Sequence, residues 1–404
     1  MLSRTLSRST RFLHCSTCCC SAEQPSTSFD STLSYVDGVK TQYGSELEIL
    51  NGKLATAQEE RKKLVMPDSR EFSALMSTSV ISEKCSLVPV GSTVNGLYCG
   101  GSDLDFVFVP HAAHRTLFLR AFHKSLGFRN QFLFSLLKLL EREVKQLDVT
   151  VTKSTIVSKG RVPLLSVNLS NSIKLDIQFS DENFHAIRNT HLIRMYSNCD
   201  ERFIQLYIWL RTLALKFQIL NSKVGALASY HLVLLIVHFL QSEKCLTPWP
   251  VLPVLGLTHP QVVGKNIDID HIIHFSKSTD NPIAWKSHNK MTISELIVRF
   301  VDYYSSFRAS DSAIYIDTGR VLRRKHVSDP NCLQLFDPYS RQSVCRSPFA
   351  SFAFVEAMHY VRKHFKKGDM ITSFPEYAEE AQSFLSETKW KHWRVHMEEM
   401  KKIL

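Results

Sequence analysis

The residues of this chain best suited to chemistry are Asp103 and Asp105, which close the run Gly91-Ser92-Thr93-Val94-Asn95-Gly96-Leu97-Tyr98-Cys99-Gly100-Gly101-Ser102-Asp103-Leu104-Asp105, together with Asp176 in Lys174-Leu175-Asp176-Ile177-Gln178-Phe179. Both stretches read as strands. Side chains alternate along a strand, so Asp103 and Asp105 share the face opposite Leu104 and Phe106. Carboxylates side by side repel each other and lose hydration when buried, unless cations stand between them. A third carboxylate from a neighbouring strand completes a cage of hard oxygens suited to Mg²⁺ or Mn²⁺, with coordination positions left for phosphate. Such a cage is the minimum equipment for phosphoryl transfer assisted by paired divalent ions.

Positioning these side chains requires a sheet, and the flanking sequence supplies one. Residues 86–92, 103–110, 148–158, 163–171 and 174–180 are rich in β-branched and aromatic residues and punctuated by Gly, Pro or Asn. Between the second and third lies a helical stretch over 112–147, with Phe118, Phe122, Phe132, Leu136, Leu137 and Leu140 as its apolar stripe. The expectation is a small mixed sheet with helices on one side. Upstream, residues 32–65 read as one polar helix with Leu33, Val36, Val39, Tyr43, Leu47, Leu50 and Leu54 on one face, ending near Pro67.

From about residue 183 the pattern changes to long helices, at 183–197, 200–220, 226–242, 293–307 and 348–366, with Pro248, Pro250 and Pro253 marking a loop. The fold class expected is α+β: a small mixed-sheet catalytic unit beside a mainly helical unit, with a cleft between them for a ligand. The implied organisation is a leader over 1–30, an N-terminal helix over 31–66 packing on the helical unit, a catalytic domain over 67–182, a helical domain over 183–370, and a basic C-terminal helix or tail over 371–404.

The chain carries a formal net charge of +11, which favours a polyanionic partner such as RNA, DNA or an anionic lipid surface. Basic clusters at 320–326, 362–367 and 389–394 suit phosphate contacts, and equally suit a solvated face. Of the 10 cysteines, Cys15, Cys18, Cys19 and Cys20 fall in the leader and the others lack framework spacing, so reduced thiols are expected. The first 22 residues contain Arg4, Arg8 and Arg11, several serines and no acid, the composition of a mitochondrial presequence; a basic tail on a cytoplasmic protein is the alternative. The strongest apolar run, Ser229 to Gln241, is too short to cross a bilayer, which takes about 20 apolar residues, and reads as a buried helix rather than a transmembrane segment.

The Gly-Ser pair, the Asp-x-Asp strand and the third Asp resemble the signature of the DNA polymerase β-like nucleotidyltransferases. Gly91 lets backbone approach phosphate, and Ser92 opens a short helical turn. Farther along, Asn189-Thr190-His191-Leu192-Ile193-Arg194-Met195-Tyr196, Gly225-Ala226-Leu227-Ala228-Ser229-Tyr230, the Tyr315-to-Arg320 strand and Asp337-Pro338-Tyr339 with Val344-Cys345-Arg346 resemble noncanonical poly(A) polymerases and terminal uridylyltransferases, including their PAP-associated segment. The similarity is collinear over about residues 86–350. It implies that Asp103, Asp105 and Asp176 hold the metal ions and that Gly91 and Ser92 meet the triphosphate. It further implies that Asn189 bonds the ribose, that Tyr230 stacks on the base, and that Ser229 lies near the phosphates. Residue chemistry alone leaves Asn189 open as a helix cap and Tyr230 as a core aromatic.

Two positions depart from the family pattern. Where the family places lysines four apart facing the triphosphate, this chain has Arg211 and Leu215. Arg211 supplies a phosphate-binding fork, Leu215 supplies nothing, and Lys216 lies about 100° around the helix. Uridylyltransferases carry a histidine that crowds adenine before the Asn-Val-x-Arg-like element, where this chain has Gln342 ahead of Ser343-Val344-Cys345-Arg346. The resemblance therefore implies addition of AMP from ATP to an RNA 3′ end, with UTP use or a catalytically weak RNA-binding scaffold as the alternatives. No RNA-binding module is legible, so target choice falls to a partner RNA-binding protein or to a homodimer.

Overall fold

The computed structural model describes residues 29–64, 85–100, 103–160, 162–180, 182–276, 281–324, 332–345 and 347–387. The arginine-rich leader, the basic cluster at 389–394 and the end of the cluster at 320–326 lie outside the described residues.

The first sheet is built from β1 (Cys85–Val90), β2 (Leu104–Pro110), β3 (Val151–Val157), β4 (Leu164–Leu169) and β5 (Lys174–Gln178) in the order β1-β2-β5-β4-β3. Only the β2–β5 pair is parallel, so the sheet is mixed. Its register decides the chemistry: Val90, Asp105, Asp176 and Ser166 lie opposite one another across β1, β2, β5 and β4. Directly paired residues point to the same side. One face buries Leu104, Phe106, Phe108, Leu165, Val167, Leu175 and Ile177 against Phe122, Leu133, Leu136, Leu137 and Leu140. The last five residues come from two helices, α4 (Arg115–Lys124) and α5 (Leu126–Glu143). The stretch 112–147 is thus divided at Ser125, whose hydroxyl caps α5 by accepting from the Phe128 amide at 3.2 Å.

The opposite face is not bare, which corrects the expectation of helices on one side only. Val88, Val90, Val107 and Val109 pack there against Leu119, Phe184, Ile187, Ile269 and Ile272. Phe184 and Ile187 belong to the start of α6 (His185–Cys199), and Ile269 and Ile272 to α9 (Ile269–Ser276), a helix hidden in the sequence by its shortness. The apolar contact covers only the β1 and β2 half of that face, leaving the Asp105–Asp176 row beside it.

The largest core gathers α6, α7 (Glu201–Lys216), α8 (Ser229–Gln241), α10 (Ile293–Ser305) and α11 (Pro348–Lys366). α8 is the strong apolar run, buried from Leu232 to Gln241. His238 survives inside it because its Nδ1 and the Tyr304 hydroxyl lie 2.9 Å apart, while burial lowers its pKa to about 4 and keeps the ring neutral. Among the described residues no helix is long and apolar enough to cross a membrane.

The N-terminal stretch is two helices, α1 (Phe29–Gln42) and α2 (Gly44–Lys63), rather than one. The break falls at Tyr43, whose φ of −127° and ψ of 34° are not helical, and whose hydroxyl reaches toward the Lys366 carbonyl. Val36 and Val39 of α1 and Leu47, Leu50 and Leu54 of α2 all enter the helical core on either side of the break. A second sheet, ordered β7-β6-β8, holds β6 (Ser312–Tyr315), β7 (Arg320–Arg323) and β8 (Gln334–Phe336). The Tyr315-to-Arg320 segment is the turn of the β6–β7 hairpin rather than a strand, made possible by Gly319 at φ +64°. A small helix, α12 (Ala378–Ser386), follows α11.

Candidate active site

The carboxylates meet where the strand alternation places them. Asp103 precedes β2 and is 43% exposed, Asp176 on β5 is 15% exposed, and both accept hydrogen bonds from the Lys174 ammonium, the Asp176 contact being 2.9 Å. Lys174 and Asp176 are two apart on β5 and so share a face. Burial alone would lower the Lys174 pKa, but its bonds to Asp103 and Asp176 prevail and raise it. Asp105, between the other two, has its pKa raised to about 7, first by burial and then by the charges of Asp176 and Asp103, with Lys174 opposing. Three carboxylates on one face therefore strain against each other and are held by a single ammonium.

The donor set fits a divalent cation. Asp176 Oδ1 is buried with no hydrogen-bond partner, leaving one hard oxygen of the carboxylate unsatisfied while Oδ2 meets Lys174. Among the described residues no three His, Cys, Asp or Glu side chains already stand in ligating geometry. The Lys174 ammonium bridges Asp103 and Asp176.

Gly91 joins the carboxylates to α6. Its φ is +77°, a Cβ at this position would come 2.9 Å from Asp105 Oδ2, and its amide donates to Thr190 Oγ1 at 3.0 Å. Only glycine lets the backbone run this close to Asp105. Ser92 follows as the first residue of α3 (Ser92–Asn95), half-buried beside it. On α6, the Asn189 amide donates to Asp337 Oδ2 at 2.7 Å, and the Tyr230 hydroxyl donates to the same oxygen at 2.9 Å. Asp337 Oδ1 in turn accepts from the amides of Tyr339 and Ser340 at 2.9 and 2.7 Å. Asn189 and Tyr230 are thus aligned by one buried carboxylate, and Asn189 does not cap α6, whose first residue is His185. Burial, followed by the Asp337 charge, raises the Tyr230 pKa well above its ordinary value, so the phenol stays protonated and donates.

Arg211 and Ser229 form a third group near the buried Tyr207 hydroxyl, whose pKa is raised first by burial and opposed by both side chains, and Arg211 also lies near the Cys99 thiol. Leu215 is 45% exposed one turn farther along α7, and Lys216 is exposed at the helix end. Lys216 shares neither the stripe of Arg211 nor the Tyr207 group. Gln342 is exposed on the loop after Asp337, its carbonyl accepting from the Asp337 amide at 3.0 Å. Lys174, Thr190, Tyr207 and Asp337 carry the arrangement without having been singled out from sequence. Lys174 was visible there as a basic residue two positions before a strand carboxylate, and Thr190 and Asp337 only as members of motifs; their roles come from tertiary contacts.

Residues 53–198 match the family model described as "Poly(A) RNA polymerase, mitochondrial-like, central palm domain". Over 249 residues, 59% of this chain, the sequence is 30% identical to poly(A) RNA polymerase gld-2 homolog B of Drosophila melanogaster. Over 242 residues, again 59% of the chain, it is 28% identical to poly(A) RNA polymerase gld-2 of Caenorhabditis elegans. These matches make the chain similar to noncanonical poly(A) polymerases over the palm segment and beyond it. It spans 17% and 20% of the length of those relatives. Among solved structures, the GLD-2/RNP-8 complex superposes with a TM-score of 0.61 at 22% identity, covering 83% of this chain and 98% of that one. A cytoplasmic RNA terminal U-transferase superposes with a TM-score of 0.53 at 19% identity, covering 82% of this chain and 97% of that one. At such identities the likeness is one of fold: a mixed-sheet palm and a helical unit shared by poly(A) polymerases and terminal uridylyltransferases. The family's palm spans the Gly91–Asp105 run and Asp176, so the carboxylate row lies inside the matched segment.

Proposed function

We propose that this chain is a template-independent RNA nucleotidyltransferase that adds AMP from ATP to RNA 3′ ends. The observation that carries the proposal is the Asp105–Asp176 pairing across parallel strands, with Asp103 on the same face and Gly91 against Asp105. Asp103, Asp105 and Asp176 would hold Mg²⁺ or Mn²⁺. Bound there, the ions supply Lewis acidity toward the RNA 3′-hydroxyl and charge neutralisation for the triphosphate and leaving pyrophosphate. The bond formed joins the RNA 3′-oxygen to the nucleotide α-phosphorus, and the bond broken releases pyrophosphate.

The protein's own side chains do the positioning. Gly91 and Ser92 present backbone and hydroxyl to phosphate, while Arg211 and Ser229, near Tyr207, supply a guanidinium fork and a second hydroxyl. Asn189 and Tyr230, fixed by Asp337, serve the ribose and the base. Lys174 neutralises Asp103 and Asp176 when no cation does, and must swing aside for catalysis. Leu215 leaves Arg211 without a second cation on its stripe, which implies weak hold on the triphosphate. Lys216 belongs to this surface only if its side chain bends back from the helix end.

ATP is favoured over UTP because Gln342 stands where a histidine would crowd adenine, and poly(A) polymerases are the curated relatives. Incubation of the chain with end-labelled RNA and each NTP separately tests this: extension preferring ATP is expected, and preference for UTP would make it a terminal uridylyltransferase. The leader composition and the mitochondrial-like palm description support action in mitochondria, with the cytoplasm as the alternative. The GLD-2/RNP-8 and GLD-2–GLD-3 complexes support recruitment through a partner protein.

A further inference from the structure

Arg61 lies in the last turn of α2, a helix whose Leu47, Leu50 and Leu54 are embedded in the helical core. Its Nη1 donates to the carbonyl of Gly96 at 2.5 Å and reaches the carbonyl of Tyr98 at 3.4 Å. Three residues on, Leu64 approaches Gly100, where a Cβ would stand 3.7 Å from the leucine methyl. The last turn of α2 therefore grips the Gly96–Gly100 loop, the segment that carries the chain from Ser92 to Asp103.

Within the loop the Leu97 amide donates to Asn95 Oδ1 at 3.0 Å and the Cys99 thiol to the Leu97 carbonyl at 3.5 Å, while among the described residues neither Tyr98 nor the glycines add a bond of their own to hold its path. Gly96 and Gly100 sit at φ +89° and +25°, conformations that cost glycine little and confer no rigidity. The restraints come from outside the sheet: Leu97 is buried in the helical core, and Ser197 Oγ on α6 donates to the Asn95 carbonyl at 2.8 Å. Arg61 adds the one charged restraint, on carbonyls next to the Cys99 thiol that Arg211 also faces. Its Nε is buried without a hydrogen-bond partner, so the side chain gives up part of its bonding capacity in order to reach the loop.

We infer that Arg61 is a positioning residue for nucleotidyl transfer, fixing the Gly96–Gly100 loop so that Asp103 arrives on the carboxylate face. The inference deepens the proposed function and rests on it for its kinetic part. It gives α2 a role beyond packing, since an Arg at a helix end that served packing alone would have no reason to hold this loop.

The test uses the full chain, with Arg61→Ala and Arg61→Lys, and reads amide hydrogen exchange together with kcat and KM for ATP on an oligoadenylate RNA. In Arg61→Ala, exchange at Leu97 to Cys99 is expected to rise at least about tenfold, with α7 protection unchanged. Its kcat is expected to fall roughly 10- to 100-fold with KM within about threefold, and Arg61→Lys to recover part of both. A parent-like kcat in Arg61→Ala overturns the inference, as does a kcat loss accompanied by deprotection of α2 and α7, which would mean packing alone. A parent chain inactive with every NTP would instead overturn the proposed function. Loop exchange then decides by itself: unchanged protection in Arg61→Ala overturns the assignment, and lost protection upholds it.

Discussion

Replacing Lys174 by Met removes the only ammonium that contacts these carboxylates among the described residues, while keeping the length of the side chain. Lys174 is 36% exposed and its partners Asp103 and Asp176 are 43% and 15% exposed, so each contact is partly screened. Pairs of that kind contribute about 0.5–1 kcal/mol each, and the two together about 1–2 kcal/mol. Without divalent ions, Lys174→Met should be less stable than the parent by about that amount, a fall of roughly 2–4 °C in Tm. With Mg²⁺ at saturation the deficit should close or reverse, because cations relieve the same repulsion and no longer compete with an ammonium. Thermal melts of both proteins in chelator and in Mg²⁺ measure the difference. Equal stability in chelator, with no larger Mg²⁺ shift in the variant, would refute the reasoning that Lys174 stands in the place of a cation.

Asp337→Asn turns one acceptor oxygen into a donor, so either Asn189 and Tyr230 or the amides of Tyr339 and Ser340 lose their partner. Each lost charged hydrogen bond costs about 1.5–3 kcal/mol, and steady-state kinetics should show KM for the nucleotide rising about tenfold or more. Gly91→Ala places a methyl 2.9 Å from Asp105 Oδ2 on a backbone at φ +77°. The strain is about 1–2 kcal/mol, and RNA extension should slow at least about tenfold, read as single-turnover rates beside a melting curve.

The carboxylate face was legible because strand alternation is a local rule: Asp103 and Asp105 had to share a side whatever the rest of the chain did. The long helices were legible for the same reason, as apolar repeats at three and four residues. What escaped was set by contacts between distant segments. The break at Tyr43 goes with a hydroxyl contact to the Lys366 carbonyl 323 residues away, while Val36, Val39, Leu47, Leu50 and Leu54 keep one helical repeat across it. The Gly319 turn was mistaken for a strand because Tyr315 and Ile316 look the same at a hairpin's end as in its middle. Asp337 stands in a loop without periodicity, and its bonds span 148 residues to Asn189 and 107 to Tyr230, so no window of sequence contains them. Helix α9 was too short to show a repeat, which is why the second face of the sheet was expected to be open.

The account stands on the carboxylate row, and the most direct measurement is single-turnover extension of end-labelled RNA with ATP and Mg²⁺ by the parent, Asp105→Asn and Asp176→Asn, each checked by a melting curve. The prediction is that the parent adds AMP while each variant, still folded, loses at least about 10³-fold in rate. Extension by either variant at the parent's rate would contradict it.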